Sequence, residues 1–289
     1  MDAPRIAWFG LLAIASVWAA LLVLGPWRWC RRTQCLHDRL LAGQVAHPTT
    51  RYHATELQGL PPVVQRFFKA TLPEGTPIIT AATLEQTGAL NLGESADLWK
   101  AFTARQRVVT QRPGFVWDAR LSMLPGLIVR VHDAYLQGQG WLQPSLFGLI
   151  PLANMHDTPA IAESELMRFL AEAAWFPTAL LPSQGVQWTP VDDRSAKATL
   201  RDGHMALTLT FGFNQQGLIE SVRADARGRT EGRRIVMRPW EGRWSNHQER
   251  DGMQVPLSGE VAWLLPPESG GRKVYWRGTV TALRYEFAD

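Results

Sequence analysis

Met205-Ala-Leu-Thr-Leu-Thr-Phe-Gly-Phe213 alternates large apolar residues with small or polar ones along its whole length. That period of two belongs to a strand with one buried face, not to a helix. Asp202-Gly203 precedes the run and Gln216-Gly217 follows it. Pairs of this kind allow the positive backbone angles of tight hairpin turns. Further along, Asp251-Gly252 and Gly270-Gly271 repeat the signal, with Val255, Leu257, Gly259, Val261 and Trp263 alternating between them and a long run from Val274 to Phe287 after them. Upstream, Phe115, Trp117, Ala119, Leu121 and Met123 form another alternating set. Long strands joined by tight turns imply a large, strongly curved antiparallel sheet.

One helical stretch interrupts the strands. Asp157 or Thr158 can cap it, Pro159 suits its first turn, and it is expected over residues 158–176, before Pro177. Leu166, Phe169, Leu170 and Ala173 form its apolar stripe. A shorter helix starts near Pro61 or Pro62 and buries Val63, Val64, Phe67 and Phe68. Strands, then a helix, then strands describe a mainly β α+β domain, a half-barrel-like sheet packed on a central helix.

Before this domain, Ile6 to Gly25 carries no charge, Pro or amide side chain and is edged by Trp8, Trp18, Trp27 and Trp29. Its length matches the ~20 residues a helix needs to cross the ~30 Å hydrocarbon core. The bulky, basic Trp27-Arg28-Trp29-Cys30-Arg31-Arg32 does not resemble the small residues of a signal-peptide cleavage site. The expected organisation is therefore a transmembrane anchor with its flanks at 1–29, a juxtamembrane segment and linker at 30–56, and the β domain at 57–289. A single-pass membrane protein follows. Arg28, Arg31, Arg32 and Arg39 outnumber Arg5 and bias the domain towards the cytoplasm.

Composition narrows the chemistry. The formal charge is +4, there are two cysteines, and both, Cys30 and Cys35, precede the domain. A disulfide framework or cysteine zinc site is excluded there. No basic block follows the juxtamembrane arginines, which argues against nucleic acid. His132, His156, His204 and His247 lack metal-ligand spacing, and neither a nucleophile elbow nor a phosphate loop is present. No metal or cofactor is expected, and no catalytic residue is assigned. Asp192, Asp193 and Asp225 read as solvated acids near turns, and Gly138-Gln139-Gly140 as a hairpin turn.

Glu165, Arg168 and Glu172 are spaced by three and four, so they share one helix face. The commoner meaning is an exposed salt-bridge ladder. The alternative is a charged cluster that orients a polar ligand head, or an enzyme site with Glu172 as acid or base and Arg168 as anion clamp. Tryptophans in nearly every element read first as core, and alternatively as the lining of an apolar cleft.

Gly114-Phe-Val-Trp-Asp-Ala-Arg120, His132-Asp-Ala-Tyr-Leu-Gln-Gly-Gln-Gly140 and Glu165-Leu-Met-Arg-Phe-Leu-Ala-Glu-Ala-Ala-Trp-Phe-Pro-Thr-Ala-Leu-Leu-Pro182 carry a resemblance. With Val255-Pro-Leu-Ser-Gly-Glu-Val-Ala-Trp263 and Arg277-Gly-Thr-Val-Thr-Ala-Leu-Arg-Tyr285, they make residues 57–287 similar to a bacterial family of membrane-anchored domains of unknown function. Its motif falls on Phe115, Trp117, Asp133, Tyr135, Gly138, Gly140, Arg168, Glu172, Trp175 and Pro177. The family pattern is in turn similar to the curved half-barrels that carry lipids or lipoproteins in the bacterial envelope. That likeness pulls against the arginine bias, so the face of the membrane stays open. It implies membrane lipids as partners and an apolar ligand held near Trp117, Asp133, Tyr135, Glu165, Arg168, Glu172 and Trp175. A scaffold that binds an envelope protein is the alternative.

Overall fold

The computed structural model describes residues 3–45, 49–94, 96–156, 158–231 and 234–289. Within these, side chains are not described for 3–7, 9–11, 13–17, 19–20, 230 and 269. Asp157, one of the two expected helix caps, lies outside the described residues.

Helix α1 (Ala3–Ala42) and helix α2 (Pro62–Thr71) lead into β1 (Ile79–Asn91), β2 (Trp99–Val109), β3 (Gly114–Leu124), β4 (Leu127–Leu136) and β5 (Gln139–Leu146). Two short strands, β6 (Ile150–Pro151) and β7 (Met155–His156), precede helix α3 (Pro159–Glu172). Then come β8 (Gln187–Asp192), β9 (Ser195–Asp202), β10 (Met205–Phe213), β11 (Ile219–Glu231), β12 (Arg234–Arg250), β13 (Met253–Leu264) and β14 (Arg272–Phe287). All 14 strands join one sheet in the order β6-β5-β4-β3-β2-β1-β14-β13-β12-β11-β10-β9-β8, with β7 paired to β5. Neighbours run antiparallel throughout, and the last strand pairs with the first long one along nearly its whole length. The sheet does not close: β6 and β8 are its free edges.

The expected alternation is realised. Phe115, Trp117, Ala119 and Leu121 of β3, and Leu207, Leu209, Phe211 and Phe213 of β10, are buried in the main core. The glycine pairs turn the chain as expected: Gly203, Gly217, Gly252, Gly270 and Gly271 all have positive φ. Gln137 (φ 53°) and Gly138 (φ 84°) make the β4–β5 hairpin. α2 buries Val63, Val64, Phe67 and Phe68 against that core.

One helix differs from expectation. The central helix was expected to reach residue 176, but regular helix stops at Glu172. Pro177 and Pro182, which lack an N–H, each open a short 3-10 turn instead. At the other end, α1 runs unbroken through Pro26 into the juxtamembrane segment and stops at Ala42, before Gly43. Its second half docks on the sheet: Trp29 and Leu40 are buried, and Leu40 joins Val109, Val116, Ala134 and Leu136 in a second apolar cluster. Among the described residues, no helix is long and apolar enough to cross a membrane. The expected span from Ile6 to Gly25 falls largely on side chains outside that description.

Candidate functional site

β3 and β4 each offer one face to α1 and the other to α3. β3 and β4 pair Trp117 with Asp133 and Asp118 with His132. Because side chains alternate, Trp117 and Asp133 point to the concave side while Asp118 and His132 point to the convex side. α3 crosses the concave side, touching β3, β4 and β5 on one flank and β10 and β11 on the other. Its start is fixed by the Thr158 hydroxyl, which accepts from the Ile161 N–H at 3.4 Å. Gly140 of β5 lets it approach, since a Cβ there would lie 2.8 Å from Ile161.

The spacing of three and four on α3 suggested an exposed ladder; the structure buries it. Glu165 is 6% and Glu172 8% exposed. The reason is that the charged stripe faces the concave sheet beside the apolar stripe, where partners await it. Arg168 donates from Nε to Glu172 at 2.7 Å, from Nη1 to Asp133 at 2.6 Å and from Nη2 to the Gln106 carbonyl oxygen at 3.2 Å. Gln106 returns its amide N–H to the other Glu172 oxygen at 2.7 Å. The guanidinium carbon sits 4.8 Å from the Phe115 ring centre and 5.0 Å from that of Trp117, within cation–π range. Burial disfavours the Arg168 charge, but the Glu172 and Asp133 carboxylates outweigh it and hold the group above its ordinary range.

Glu165 is the odd member. Burial first, and the neighbouring Asp133 carboxylate second, push its carboxyl well above the usual range. Glu165 Oε2 and Asp133 Oδ1 are both buried without another partner. A proton on Glu165, which that shift favours, would supply the donor that Asp133 Oδ1 lacks. Arg227 of β11 adds a second cation, bonded to the Ser164 carbonyl at 3.2 Å and lying 4.9 Å from the Trp240 ring centre. Two arginines thus stand among three carboxyl groups, of which Glu165 is the one raised by burial.

This cluster forms the polar end of a cavity of about 230 Å³. Its other walls are Leu90, Trp117, Trp240, Trp244, Val261 and Trp276. Trp244 lies across Gly259, Trp276 across Gly278 and Phe102 against Gly88, places where a Cβ would strike the ring. These three glycines are consecutive partners on β1, β14 and β13. An open groove of about 950 Å³ on the convex face is larger. Its buried carboxylate is already satisfied: Glu241, 1% exposed, accepts from Arg223, Arg243 and Arg272. The concave cavity, with apolar walls and an unspent indole N–H on Trp244, is the candidate site.

Of the residues singled out from sequence, Trp117, Asp133, Arg168 and Glu172 line this cavity, and Glu165 braces Asp133 from behind. Tyr135 and Trp175 do not line it. Tyr135 donates to Asp202 of β9 at 2.7 Å, tying the two ends of the sheet together. Trp175 meets Trp244 edge-on at 5.0 Å and accepts from the Tyr285 hydroxyl through its carbonyl. Gln106 and Arg227 were not singled out, and Trp240, Trp244 and Trp276 were expected only in general terms, among the tryptophans that form either core or the lining of an apolar cleft. The patterns Trp240-x-Gly-x-Trp244 and Trp276-x-Gly278 were the available signal, an indole beside a missing side chain on the same strand face. His132 serves the other face, stacked on Trp29 with ring centres 3.7 Å apart. The described residues contain no cluster suited to a metal ion.

The model of a family of unknown function, DUF6920, matches residues 58–285, and the chain belongs to that family. No curated protein matches it. Among solved structures, a LolA superfamily protein from Nitrosomonas europaea is similar at a TM-score of 0.35 and 9% identity, covering 78% of this chain and 92% of that one. A beta-barrel-like protein of domain of unknown function DUF1849, from Brucella abortus, is similar at a TM-score of 0.21 and 9% identity, covering 72% and 98%. Likenesses at these scores say nothing of function.

Proposed function

We propose that this member of DUF6920 is a membrane-anchored binding module that holds a lipid or another apolar ligand with a polar head in its concave cavity. The observation that carries the reading is the cavity's two-ended chemistry: indole and aliphatic walls, and a buried arginine–carboxylate cluster at one end. Apolar walls with a few convergent polar groups are the usual composition of a ligand pocket. Trp244 supports a ligand that brings an acceptor oxygen, since its buried N–H has none. The volume of about 230 Å³ lies below the ~300–1,000 Å³ of drug-sized pockets. It suits one acyl segment or a small apolar group. The apolar run Ile6–Gly25 supports the anchor.

An enzyme using Glu172 as acid or base is less favoured, because both Glu172 oxygens already accept hydrogen bonds from Arg168 and Gln106. Native mass spectrometry of the full chain, purified in mild detergent, tests the reading. A lipid-sized adduct should be present, and Val261→Trp, which fills the cavity, should remove it while leaving the fold intact. Protein that is consistently empty would overturn it.

A further inference from the structure

Five hairpin ends lie along one rim of the sheet, and the register places them together. The β1–β2 loop meets the β13–β14 loop through Lys273 and the Glu94 carbonyl. Lys100, at the start of β2, donates to the Met123 carbonyl beside the β3–β4 turn at 3.0 Å. The Phe147 N–H, in the β5–β6 turn, donates to the Ile128 carbonyl of β4 at 2.9 Å. On the far side, Trp240 pairs with Trp263, so β12 continues outward past the end of β13.

This rim is apolar where it should be polar. Leu98, Leu124, Ile150, Leu152, Ile235 and Met237 are each about half exposed or more. Outside α1, every exposed large apolar side chain among the described residues except Val45 and Val191 sits on this rim. The same rim receives α1: Gly25 backs onto the Phe147 carbonyl, and Trp18 meets the Phe147 ring edge-on at 5.6 Å. The helix surface just before that contact, Leu22, Val23 and Leu24, is exposed and apolar too, and Trp27 follows it. Arg28 and Arg31, both exposed, come immediately after. An apolar collar edged by indoles and then by arginines matches the layering of hydrocarbon, interface and anionic head groups.

We infer that the rim of hairpin tips is a membrane-contact surface, seated in the interfacial layer of a lipid bilayer beside α1. Scattered exposed leucines need no explanation, but their collection on one edge does. Tyr275 lines the cavity and stacks on Trp263, next to the ends of β13 and β14, so that end of the cavity faces the rim. Where the proposed ligand reading also holds, the cavity loads from the bilayer without passing through water.

The test uses the full chain with Cys30→Ser and Cys35→Ser, in vesicles of phosphatidylethanolamine and phosphatidylglycerol. Single cysteines carry an environment-sensitive fluorophore at Leu124→Cys, Ile150→Cys or Ile235→Cys. Gln216→Cys and Asp251→Cys, exposed in turns on the opposite rim, are controls. Lipids bearing a quencher near the head group should remove most of the emission from the three rim labels and little from the controls. Equal quenching at both rims, no quenching at the tips, or protein that does not float with vesicles would overturn the proposal. Rim quenching in a chain that carries no lipid adduct would retain the contact surface and refute only the ligand reading.

Discussion

The two faces of β3 and β4 hold two helices by opposite means. Inside, Arg168 of α3 is fixed by full charges, carboxylate against guanidinium, between Phe115 and Trp117. Outside, at β3 and β4, α1 is held by neutral groups that meet the Asp118 carboxylate and His132. The Trp29 indole donates to Asp118 at 2.8 Å, and the Thr33 hydroxyl reaches Asp118 at 3.1 Å and His132 Nε2 at 2.7 Å. Neighbours in sequence, His132 and Asp133, serve the two sides. A buried charge cluster adds little net stability while it is whole, yet it is costly to break by halves. The outer clasp can be loosened one hydrogen bond at a time. The contrast predicts a core that fails as a unit and a helix that detaches locally.

Arg168→Met is the hardest blow, because it strands Asp133 and Glu172 without their cation. It should cost about 3–5 kcal/mol of global stability by denaturant unfolding. Adding Asp133→Leu and Glu172→Leu should recover much of this, since apolar replacement of an entire buried cluster is often neutral. On the convex side, Thr33→Val should cost about 1–3 kcal/mol. Hydrogen exchange should place that loss in α1 and leave β2 to β4 protected.

Acid sharpens the same contrast. Burial, and then the nearby Arg32, hold His132 down at about 3. The unfolded chain takes up that proton first, so this part of stability is whole above pH ~6.5 and declines by roughly 1.4 kcal/mol per pH unit on acidification. The decline ends near the folded value of about 3. His132→Phe, which keeps a ring under Trp29, should flatten the dependence measured by urea unfolding across this range. Glu165 works in the opposite sense. With its carboxyl raised, the folded state keeps a proton that the unfolded chain releases, so stability falls as pH climbs beyond the ordinary carboxylate range. Glu165→Gln keeps an N–H donor for Asp133 and should remove that decline, leaving acid stability nearly unchanged.

Strand content was legible because a half-buried strand writes its burial directly into every second residue, as in β3 and β10. The hairpin turns were legible because positive φ selects Gly. What periodicity did not show is which polar residues the sheet turns inward; Asp133 was reached only through the family motif. Asp133, Gln106 and Arg227 occupy inward positions that look, one at a time, like solvent positions on amphipathic strands. Only the curvature, which brings β2, β4 and β11 around one helix, makes them partners of Arg168 and Glu165. Local spacing found the helix half of the cluster and could not see the sheet half, whose members lie tens of residues apart. The docking of α1 escaped for the same reason: Trp29, Thr33 and Leu40 are helix-spaced, but the surface they fit is assembled from distant strands.

Gly88, Gly278 and Gly259 form a stripe of bare backbone on which Phe102, Trp276 and Trp244 recline. The calibre of the hollow is therefore set by main chain and not by adjustable side chains, much as a mould fixes a casting. A single methyl on Gly278 would lie 2.8 Å from the Trp276 ring and tip that indole into the space it now borders. Widening or narrowing the chamber would require repositioning whole strands, so what it admits is decided when the sheet rolls up.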